Sequence, residues 1–314
     1  MKIYCGIVAG PNSSKLIKKL IDICEYLSNN EIHWLLMVDK ISEITLKNTY
    51  TKLINRNDFS KLKKRKNISF DSFEINVPSI GGDRHGYGID LIIKKLNEFN
   101  RIIILEPDSF PCCFNWDNIM LSKLSDKNPI VVMCKKGELD SNLKYLNDNV
   151  KYKRTPCVGD IGLLCLKTNF FVNNNLTFMK INNFSNANLN QDLEKKFKKN
   201  SLYINNDELA KIFDVKLNET INKEFGWRIA YTMNKLNKKS YKFDTYVFDN
   251  SEHHSTDLIF NENNLMAIHL HYSRYITKEL LKKYSKLINK ILNHYNVDNK
   301  IKNLFDDKFL GYLQ

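Results

Sequence analysis

The chain has 314 residues, of which 43% are hydrophobic, including 18 Phe. This length and apolar content suffice for one large α/β domain or two small ones and exclude a wholly disordered chain. The formal net charge of +13 fits an anionic partner, such as a nucleic acid, a membrane surface or a phosphorylated small molecule.

The seven cysteines are odd in number and irregularly spaced, and none forms a CxxC pair. Neither a disulfide framework nor a zinc ribbon is therefore indicated, and a reducing compartment is expected. The apolar run Ile3–Ala9 is too short for a signal peptide, and no stretch reaches the ~20 apolar residues that span a bilayer. We expect a soluble, cytoplasmic protein.

Strand and helix signals alternate along the first half of the chain. Continuous apolar runs predict buried strands at Ile3–Ala9, Trp34–Val38, Phe70–Val77, Arg101–Leu105 and Pro129–Cys134. Helical spacing predicts helices over Leu16–Leu27, from about Ser42 to Ile54, and over Tyr87–Phe99. This alternation predicts a mainly parallel sheet with helices on both faces, and ligands then bind at the carboxyl ends of the strands.

The second half gives weaker signals. Asn173–Asn190 is polar and predicts a loop, whereas later segments predict a helix over Glu219–Leu236 and strands over Tyr241–Phe248 and Leu265–His271. A final helix over Lys278–Tyr295 has an apolar stripe opposite a row of lysines. That row is either a solvated face or a docking surface for a membrane or an acidic partner.

Two carboxylates directly follow the apolar predicted strand Arg101–Leu105, in Glu106-Pro107-Asp108. The proline predicts a stiff, extended backbone from which both side chains can share one cation. Carboxylate oxygens suit Mg²⁺ or Mn²⁺, which complete their coordination with phosphate oxygens and water. Acidic residues at such a junction can equally well cap a turn.

A glycine-rich segment, Gly81 to Gly88, precedes the helix that leads to this strand. Its glycines allow close backbone approach, and Arg84 and His85 offer donors to a phosphate or a nucleoside. The segment matches neither the P-loop nor the dinucleotide-binding pattern. By itself it is equally consistent with a flexible loop.

Histidines and an arginine stand together late in the chain, in His269-Leu270-His271-Tyr272-Ser273-Arg274. On a strand, His269 and His271 project to the same face. The pair can complete a metal site, and Arg274 can bind a diphosphate.

Taken in order, these pieces resemble the GT-A glycosyltransferases, especially the family-2-like branch. The matching pieces are Ala9-Gly10-Pro11, Asp39, Gly82 to Gly88, Glu106-Pro107-Asp108 in place of the family's DxD, Asn115-Trp116-Asp117, Pro156 to Gly162, Glu224 to Ile229, and His269 with His271. Two departures stand out. The first DxD position is Glu, and the family's Glu-Asp at a helix start is written Glu224-Phe225.

The resemblance implies a GT-A-like, Rossmann-related fold over residues 1–275, with a nucleotide-sugar-binding half, 1–135, and an acceptor-side half, 136–275. Residues 276–314 are expected to form a C-terminal helical extension that could contact a membrane peripherally. The implied activity is metal-dependent transfer of a sugar, with inversion, from a UDP- or GDP-sugar to a hydroxyl of a glycan, lipid or protein. Mn²⁺ or Mg²⁺ is the implied cofactor, and no nucleic-acid partner is expected.

The resemblance also assigns roles to individual residues. The metal ligands it implies are Glu106, Asp108, His269 and His271. The donor-binding residues it implies are Ala9, Pro11, Asp39, Gly82, Arg84, His85 and Arg274. The general base that deprotonates the acceptor is expected to be Glu224, with Asp160 as its rival.

Three other classes of function are weighed against this one. A different nucleotide-sugar or nucleotidyl-transfer enzyme would turn over the nucleotide without forming a glycoside. A basic nucleic-acid-binding protein is favoured by the net charge and by the run Lys61–Lys66, but aromatic residues do not alternate with the basic ones. A zinc site built from Cys112, Cys113, His253 and His254 lacks the usual ligand spacing.

Overall fold

The computed structural model describes residues 1–41, 43–45, 52–54, 56–75, 82–140, 142–147, 160–179, 201–213, 216–222, 226–248, 256–270 and 278–305. The strands in this part of the chain are β1 (Lys2–Ala9), β2 (Glu31–Asp39), β3 (Glu43–Thr45), β4 (Lys52–Ile54), β5 (Ile68–Phe73), β6 (Arg101–Leu105), β7 (Ser109–Pro111), β8 (Ile130–Leu139), β9 (Tyr145–Asn147), β10 (Asp160–Lys167), β11 (Ser201–Tyr203), β12 (Thr220–Asn222), β13 (Ser240–Phe248), β14 (Thr256–Asn261) and β15 (Asn264–Leu270). The α-helices are α1 (Ser14–Leu27), α2 (Gly82–Lys95), α3 (Trp116–Ser122), α4 (Thr168–Asn173), α5 (Asp207–Phe213), α6 (Trp227–Lys235), α7 (Lys278–His294) and α8 (Asn299–Lys302), and short 3₁₀ helices cover Leu62–Lys64 and Asn303–Phe305.

One 11-stranded sheet, in the order β5-β2-β1-β6-β10-β8-β13-β14-β15-β7 with β9 beside β8, organises the molecule. The pairings from β5 to β6 are parallel, as predicted. From β6 onward they are antiparallel, apart from the β8–β13 pair. The prediction of a mainly parallel sheet therefore holds only from β5 to β6 and is wrong for the rest of the sheet, apart from the β8–β13 pair.

Strand direction could not be predicted because a strand that is buried on both faces has a continuous apolar sequence in either direction. In β6, alternate residues enter different cores: Ile103 and Leu105 pack on the α1 side, whereas Ile102 and Ile104 pack on the α2 side. The antiparallel strands are buried in the same way. The β14–β15 hairpin, closed at Glu262 with a φ of 58°, carried no signal that separates it from a parallel strand.

Two predicted helices are corrected by the structure. Residues 43–45 and 52–54 form the antiparallel pair β3–β4 instead of a helix, in keeping with a segment rich in the β-branched residues Ile and Thr. The helix expected over Glu219–Leu236 begins only at Trp227, after strand β12. Its N-cap, Gly226, has a φ of 75° and cannot be part of a continuous helix.

The glycine-rich segment is helical, not a loop, because α2 begins at Gly82. Glycine inside a helix costs about 1 kcal/mol relative to alanine, and at Gly88 close packing explains the choice. A Cβ there would lie 2.7 Å from a methyl carbon of Val8, so the missing side chain lets α2 pack directly on β1.

The described part of the C-terminal segment packs into the main core. Ile288 and Ile291 of α7 belong to the same buried cluster as α1. Phe305 packs edge-on against Phe110 of β7, with ring centroids 6.1 Å apart. This segment therefore covers the part of the sheet that lies beside Glu106-Pro107-Asp108.

Candidate functional site

Glu106, Pro107 and Asp108 form a tight turn between β6 and β7. The N–H of Ser109 donates to the carbonyl of Glu106 at 3.1 Å, which closes a β-turn with proline at its second position. The extended backbone expected from the sequence is therefore wrong. The turn is fixed on both sides, because the N–H of Glu106 donates to Gly162 of β10 at 3.1 Å and the carbonyl of Asp108 accepts from Leu270 of β15 at 2.9 Å.

His269 of β15 lies against this turn. Its Nε2 atom is 2.9 Å from a carboxylate oxygen of Glu106 and 3.5 Å from one of Asp108. One possible ligand atom from each residue falls within 4.8 Å of the other two. Among the residues that the structure describes, these three form the single group of this kind. Three of the four predicted metal ligands are thus brought together, and the fourth, His271, lies outside the described residues.

The electrostatic surroundings of His269 are strongly acidic. Asp257 of β14 approaches the opposite ring nitrogen, Nδ1, at 3.5 Å. Burial lowers the pKa of the His269 ring, but hydrogen bonds to Asp108, Asp257 and Glu106 outweigh it, and the pKa lies well above its ordinary value. The ring nitrogens therefore sit where positive charge is stabilised, as a cation site requires.

The N-terminal turn of α2 adjoins the same carboxylates. His85, in that turn, has its Nε2 atom 3.4 Å from the second carboxylate oxygen of Glu106. The first N–H groups of a helix and its dipole favour an anion at this end. Helix and carboxylates together create a place where a cation and an anion can be bound side by side.

Asp39 and Arg84, both predicted to bind the donor, bind each other. The Arg84 guanidinium donates to both carboxylate oxygens of Asp39, with Nε–Oδ2 at 2.9 Å, and it also donates to the carbonyl of Ile75. The two side chains are 11% and 8% exposed. Bidentate contact fixes the orientation of the Asp39 carboxylate at the carboxyl end of β2.

The backbone beneath the carboxylates is packed without space for a side chain at Gly162. A Cβ added there would lie 2.9 Å from Ser109 Oγ and 3.0 Å from His269 Nδ1. Both distances are shorter than almost all Cβ contacts in proteins, so glycine allows β10 to lie directly against the turn and β15. Gly162, the last residue of the matching piece Pro156 to Gly162, therefore lies directly against the turn and His269.

The remaining predicted residues fall into two groups. Ala9 ends β1 and Pro11 lies in the following turn, both buried, and Asn57 fixes this turn through bonds to Gly10 and Ser14. Asp160 begins β10, but its side chain lies outside the described residues, as do Glu224 and Arg274.

The predicted Asn115-Trp116-Asp117 piece has a structural role. Trp116 donates its indole N–H to the carbonyl of Cys24 at 3.0 Å, and the fully buried Asp117 accepts from Ser28 and Asn30. These contacts hold the end of α1 against α3.

The structure gives little support to the alternative zinc site and to the basic run as a nucleic-acid site. Cys112 is buried, and burial raises its pKa well above the ordinary value, which disfavours the thiolate that a metal needs. The partner histidines proposed for it, His253 and His254, lie outside the described residues. In the basic run 61–66, Leu62 is buried, and Arg65 pairs with Asp22 and Glu25 of α1.

No family model matches the sequence, and none of the curated proteins matches it. Solved structures with a similar fold include residues 1–349 of S. aureus TarS, at 11% identity and a TM-score of 0.39, over 99% of this chain and 71% of that one. TarS has also been solved with UDP-GlcNAc and with UDP. The bifunctional glycosyltransferase WbbM matches at 14% identity and a TM-score of 0.34, over 76% and 38% of the two chains. The galactosyltransferase LgtC matches at 12% identity and a TM-score of 0.30, over 53% and 58%.

These similar structures are glycosyltransferases, the class whose motifs the sequence resembles. Within the described ranges, no helix combines the length and the apolar composition needed to cross a membrane.

Proposed function

We propose that this chain is a metal-dependent glycosyltransferase that moves a sugar from a nucleotide-sugar donor to a hydroxyl acceptor, with inversion. The observation that carries the proposal is the convergence of Glu106, Asp108 and His269 where β6 ends, with ligand atoms within 4.8 Å of one another. In an open α/β sheet, ligands bind in this crevice beyond the carboxyl ends of the strands.

The three side chains fit Mn²⁺ or Mg²⁺. Ligand atoms about 2.1 Å from an octahedral ion lie roughly 3 to 4 Å from one another, and His269 Nε2 lies 2.9 Å from an oxygen of Glu106 and 3.5 Å from one of Asp108. Three protein ligands leave positions for phosphate oxygens and water. The imidazole nitrogen favours Mn²⁺ over Mg²⁺, which prefers oxygen alone. When bound, the cation would neutralise the charge that develops on the leaving diphosphate.

The chain's own residues would hold the rest of the donor. The diphosphate fits beside the N-terminal turn of α2, where His85 and the helix dipole add stabilisation. Asp39, oriented by Arg84, is well suited to accept hydrogen bonds from the base or ribose. Arg274 would add positive charge to the diphosphate oxygens.

The acceptor hydroxyl needs a base, which we assign to Glu224 with Asp160 as the rival. Glu224 precedes the N-cap of α6 by two residues. Asp160 is two residues from Gly162, whose carbonyl accepts from the turn that carries the carboxylates. Either residue would take the proton from the attacking oxygen as the glycosidic bond to the diphosphate breaks.

The test is a thermal-shift screen with UDP-, GDP-, CMP- and dTDP-sugars, with and without Mn²⁺, followed by calorimetry on the best donor. A bound donor stabilises the folded state by mass action, so one nucleotide class should raise Tm only with metal present. Asp108→Asn should weaken Mn²⁺-dependent donor binding at least tenfold, or about 1.4 kcal/mol, with the fold intact.

The matched control is Asp126→Asn, at a carboxylate that is 95% exposed and pairs with Lys167 away from the turn; it should bind the donor like the parent. Equal donor affinity in the parent and in Asp108→Asn would reject the metal site. Metal-dependent consumption of the nucleotide-sugar without any glycoside product would favour the alternative nucleotide-sugar or nucleotidyl-transfer enzyme.

A further inference from the structure

A buried row of charged side chains lies behind the carboxylate–histidine group. Lys135 of β8 places its Nζ 3.3 Å from Asp257 Oδ2, and the same oxygen is 3.5 Å from His269 Nδ1. The side chains of Lys135, Asp257 and His269 are 7%, 0% and 5% exposed. Burying three ionisable groups is unfavourable unless they compensate one another, so their alignment calls for an explanation.

The strand register produces the row. Asp257 is directly opposite His269 in the β14–β15 ladder, and His269 is opposite Ser109 in the β15–β7 ladder. Residues that face each other across a ladder have Cβ atoms about 5 Å apart on the same side of the sheet. Lys135 pairs with Thr245 of β13 and reaches past that strand to Asp257.

The two nitrogens of the His269 ring therefore face different partners. Nε2 faces Glu106 and Asp108, whereas Nδ1 faces Asp257. A neutral imidazole carries one N–H, and the nitrogen without it is the one that can bind a metal. A cation between Glu106 and Asp108 would exclude the N–H from Nε2, and the Asp257 carboxylate beside Nδ1 would hold the N–H there and fix the plane of the ring.

We propose that Asp257 is a positioning residue for metal binding: it keeps the N–H of His269 on Nδ1, so that the Nε2 lone pair points to the cation between Glu106 and Asp108. Lys135 supplies the counter-charge that lets a carboxylate stand in this buried position. The inference rests on the proposed function, since it concerns the same metal site. It adds two residues that no motif of the sequence marks.

The test compares Asp257→Asn with the parent and with a matched control, Asp244→Asn. Asp244 also pairs with a lysine across β8 and β13, at 3.5 Å from Lys136, but in a pair about half exposed to solvent. Calorimetry with Mn²⁺ alone measures the affinity. Electron spin-echo spectroscopy of the bound Mn²⁺ detects the ¹⁴N coupling of a directly ligated imidazole.

We expect Asp257→Asn to lower the Mn²⁺ affinity by 10- to 100-fold and to weaken or abolish the ¹⁴N coupling, whereas Asp244→Asn changes neither. If the single variant fails to fold because Lys135 is left with an uncompensated charge, the double variant Lys135→Met/Asp257→Asn removes both charges. The double variant should then show the same loss of affinity and coupling.

The outcomes distinguish failure of the metal site from failure of the positioning role of Asp257. Parent protein that binds no Mn²⁺, or binds it without ¹⁴N coupling, overturns the metal site itself. Parent protein with coupling, together with a folded Asp257 variant that keeps both coupling and affinity, overturns the positioning role alone.

Discussion

At the scale of single residues, the candidate site combines side chains that the sequence marks with side chains that it does not. Glu106 and Asp108 were predictable because they directly follow a strongly apolar strand, and His269 because it interrupts another one. Asp257 and Lys135 were not predictable, because the role of a buried charge in a strand depends on which residues lie beside it on the neighbouring strands. The pairing of Arg84 with Asp39 was equally invisible, because the two lie 45 positions apart.

The catalytic base provides the first prediction at this scale. A base acts in the transition state and contributes little to donor binding, so Glu224→Gln should lower kcat by about 10²–10⁴ and leave donor affinity nearly unchanged. Steady-state kinetics with calorimetry of donor binding measures both quantities. Glu219→Gln, at an exposed carboxylate five positions earlier, is the control and should keep parental kcat.

A different result would reassign the role. Near-parental kcat in Glu224→Gln together with loss of turnover in Asp160→Asn would make Asp160 the base. Glu224 would then be a plain acidic residue before a helix, and its replacement would cost at most about 1 kcal/mol of stability.

At the scale of elements, most of the long buried strands and the long amphipathic helices were predicted well, whereas strand pairing was predicted correctly only from β5 to β6. β1, β2, β6, β13 and α1 lie within a few residues of their predicted bounds, because their apolar patterns are long and unambiguous. Strands β10 and β14 were not among the predicted strands, and their antiparallel direction is fixed by partners distant in sequence. The helical state of 82–88 was missed because glycine disfavours a helix locally, whereas Gly88 is required by its close contact with Val8 of β1.

A partly buried acid, Asp90, ties α2 to its surroundings. Asp90 accepts hydrogen bonds from the hydroxyl of Thr177 and the N–H of Phe178, which anchors the segment after α4. Desolvation by burial raises the pKa of Asp90 to about 7, although these bonds and the charge of Arg228 lower it in part. The folded protein therefore keeps this proton to higher pH than the unfolded chain does.

This difference predicts a pH-dependent stability. With an unfolded pKa near 3.8 and a folded pKa of about 7, the favourable contribution of Asp90 is complete below the unfolded value and is lost as pH rises toward 7. Asp90→Asn can keep both hydrogen bonds and has no such proton. Between pH 4.5 and 7.5, the parent should therefore lose on the order of 3 kcal/mol of unfolding free energy relative to the variant, since about 2.5 pH units of this window lie below the folded pKa and each unit corresponds to about 1.4 kcal/mol.

Urea unfolding at four pH values across this window measures that difference. Because the unfolding free energy of the variant is subtracted from that of the parent, the effects of titrating groups that the two proteins share cancel. Parallel stability curves for the two proteins would contradict the assignment of a raised pKa to Asp90.

At the scale of the whole molecule, the sheet returns on itself to build the site. In the sheet order, β6 and β7 are separated by β10, β8, β13, β14 and β15, which in a flat sheet would place them roughly 29 Å apart at about 4.8 Å per strand. Leu105 and Ser109 are only four positions apart, and four residues span at most about 14 Å. The sheet must therefore curl, and this curl brings β15, with His269, to the end of β6.

The last prediction follows from this closure, because a metal bound at the turn ties together segments that are 160 positions apart in the chain. Saturating Mn²⁺ should slow amide hydrogen exchange in the peptides that cover β7 and β15 together. It should leave β5, on the opposite edge of the sheet, unchanged. At a free concentration of 100 times its Kd, a ligand stabilises the closed form by about 2.7 kcal/mol. Exchange of amides that requires opening of the site should therefore slow by about 100-fold.

Exchange followed by mass spectrometry, with and without Mn²⁺, measures this protection, and Asp108→Asn should show little of it. Protection limited to β7 would mean that the ion is held by the turn alone, without His269. Equal protection of β5 would point to a general effect of the ion on the whole fold. Joint protection of β7 and β15, absent from β5, is the pattern that a site closed by the curl of the sheet requires.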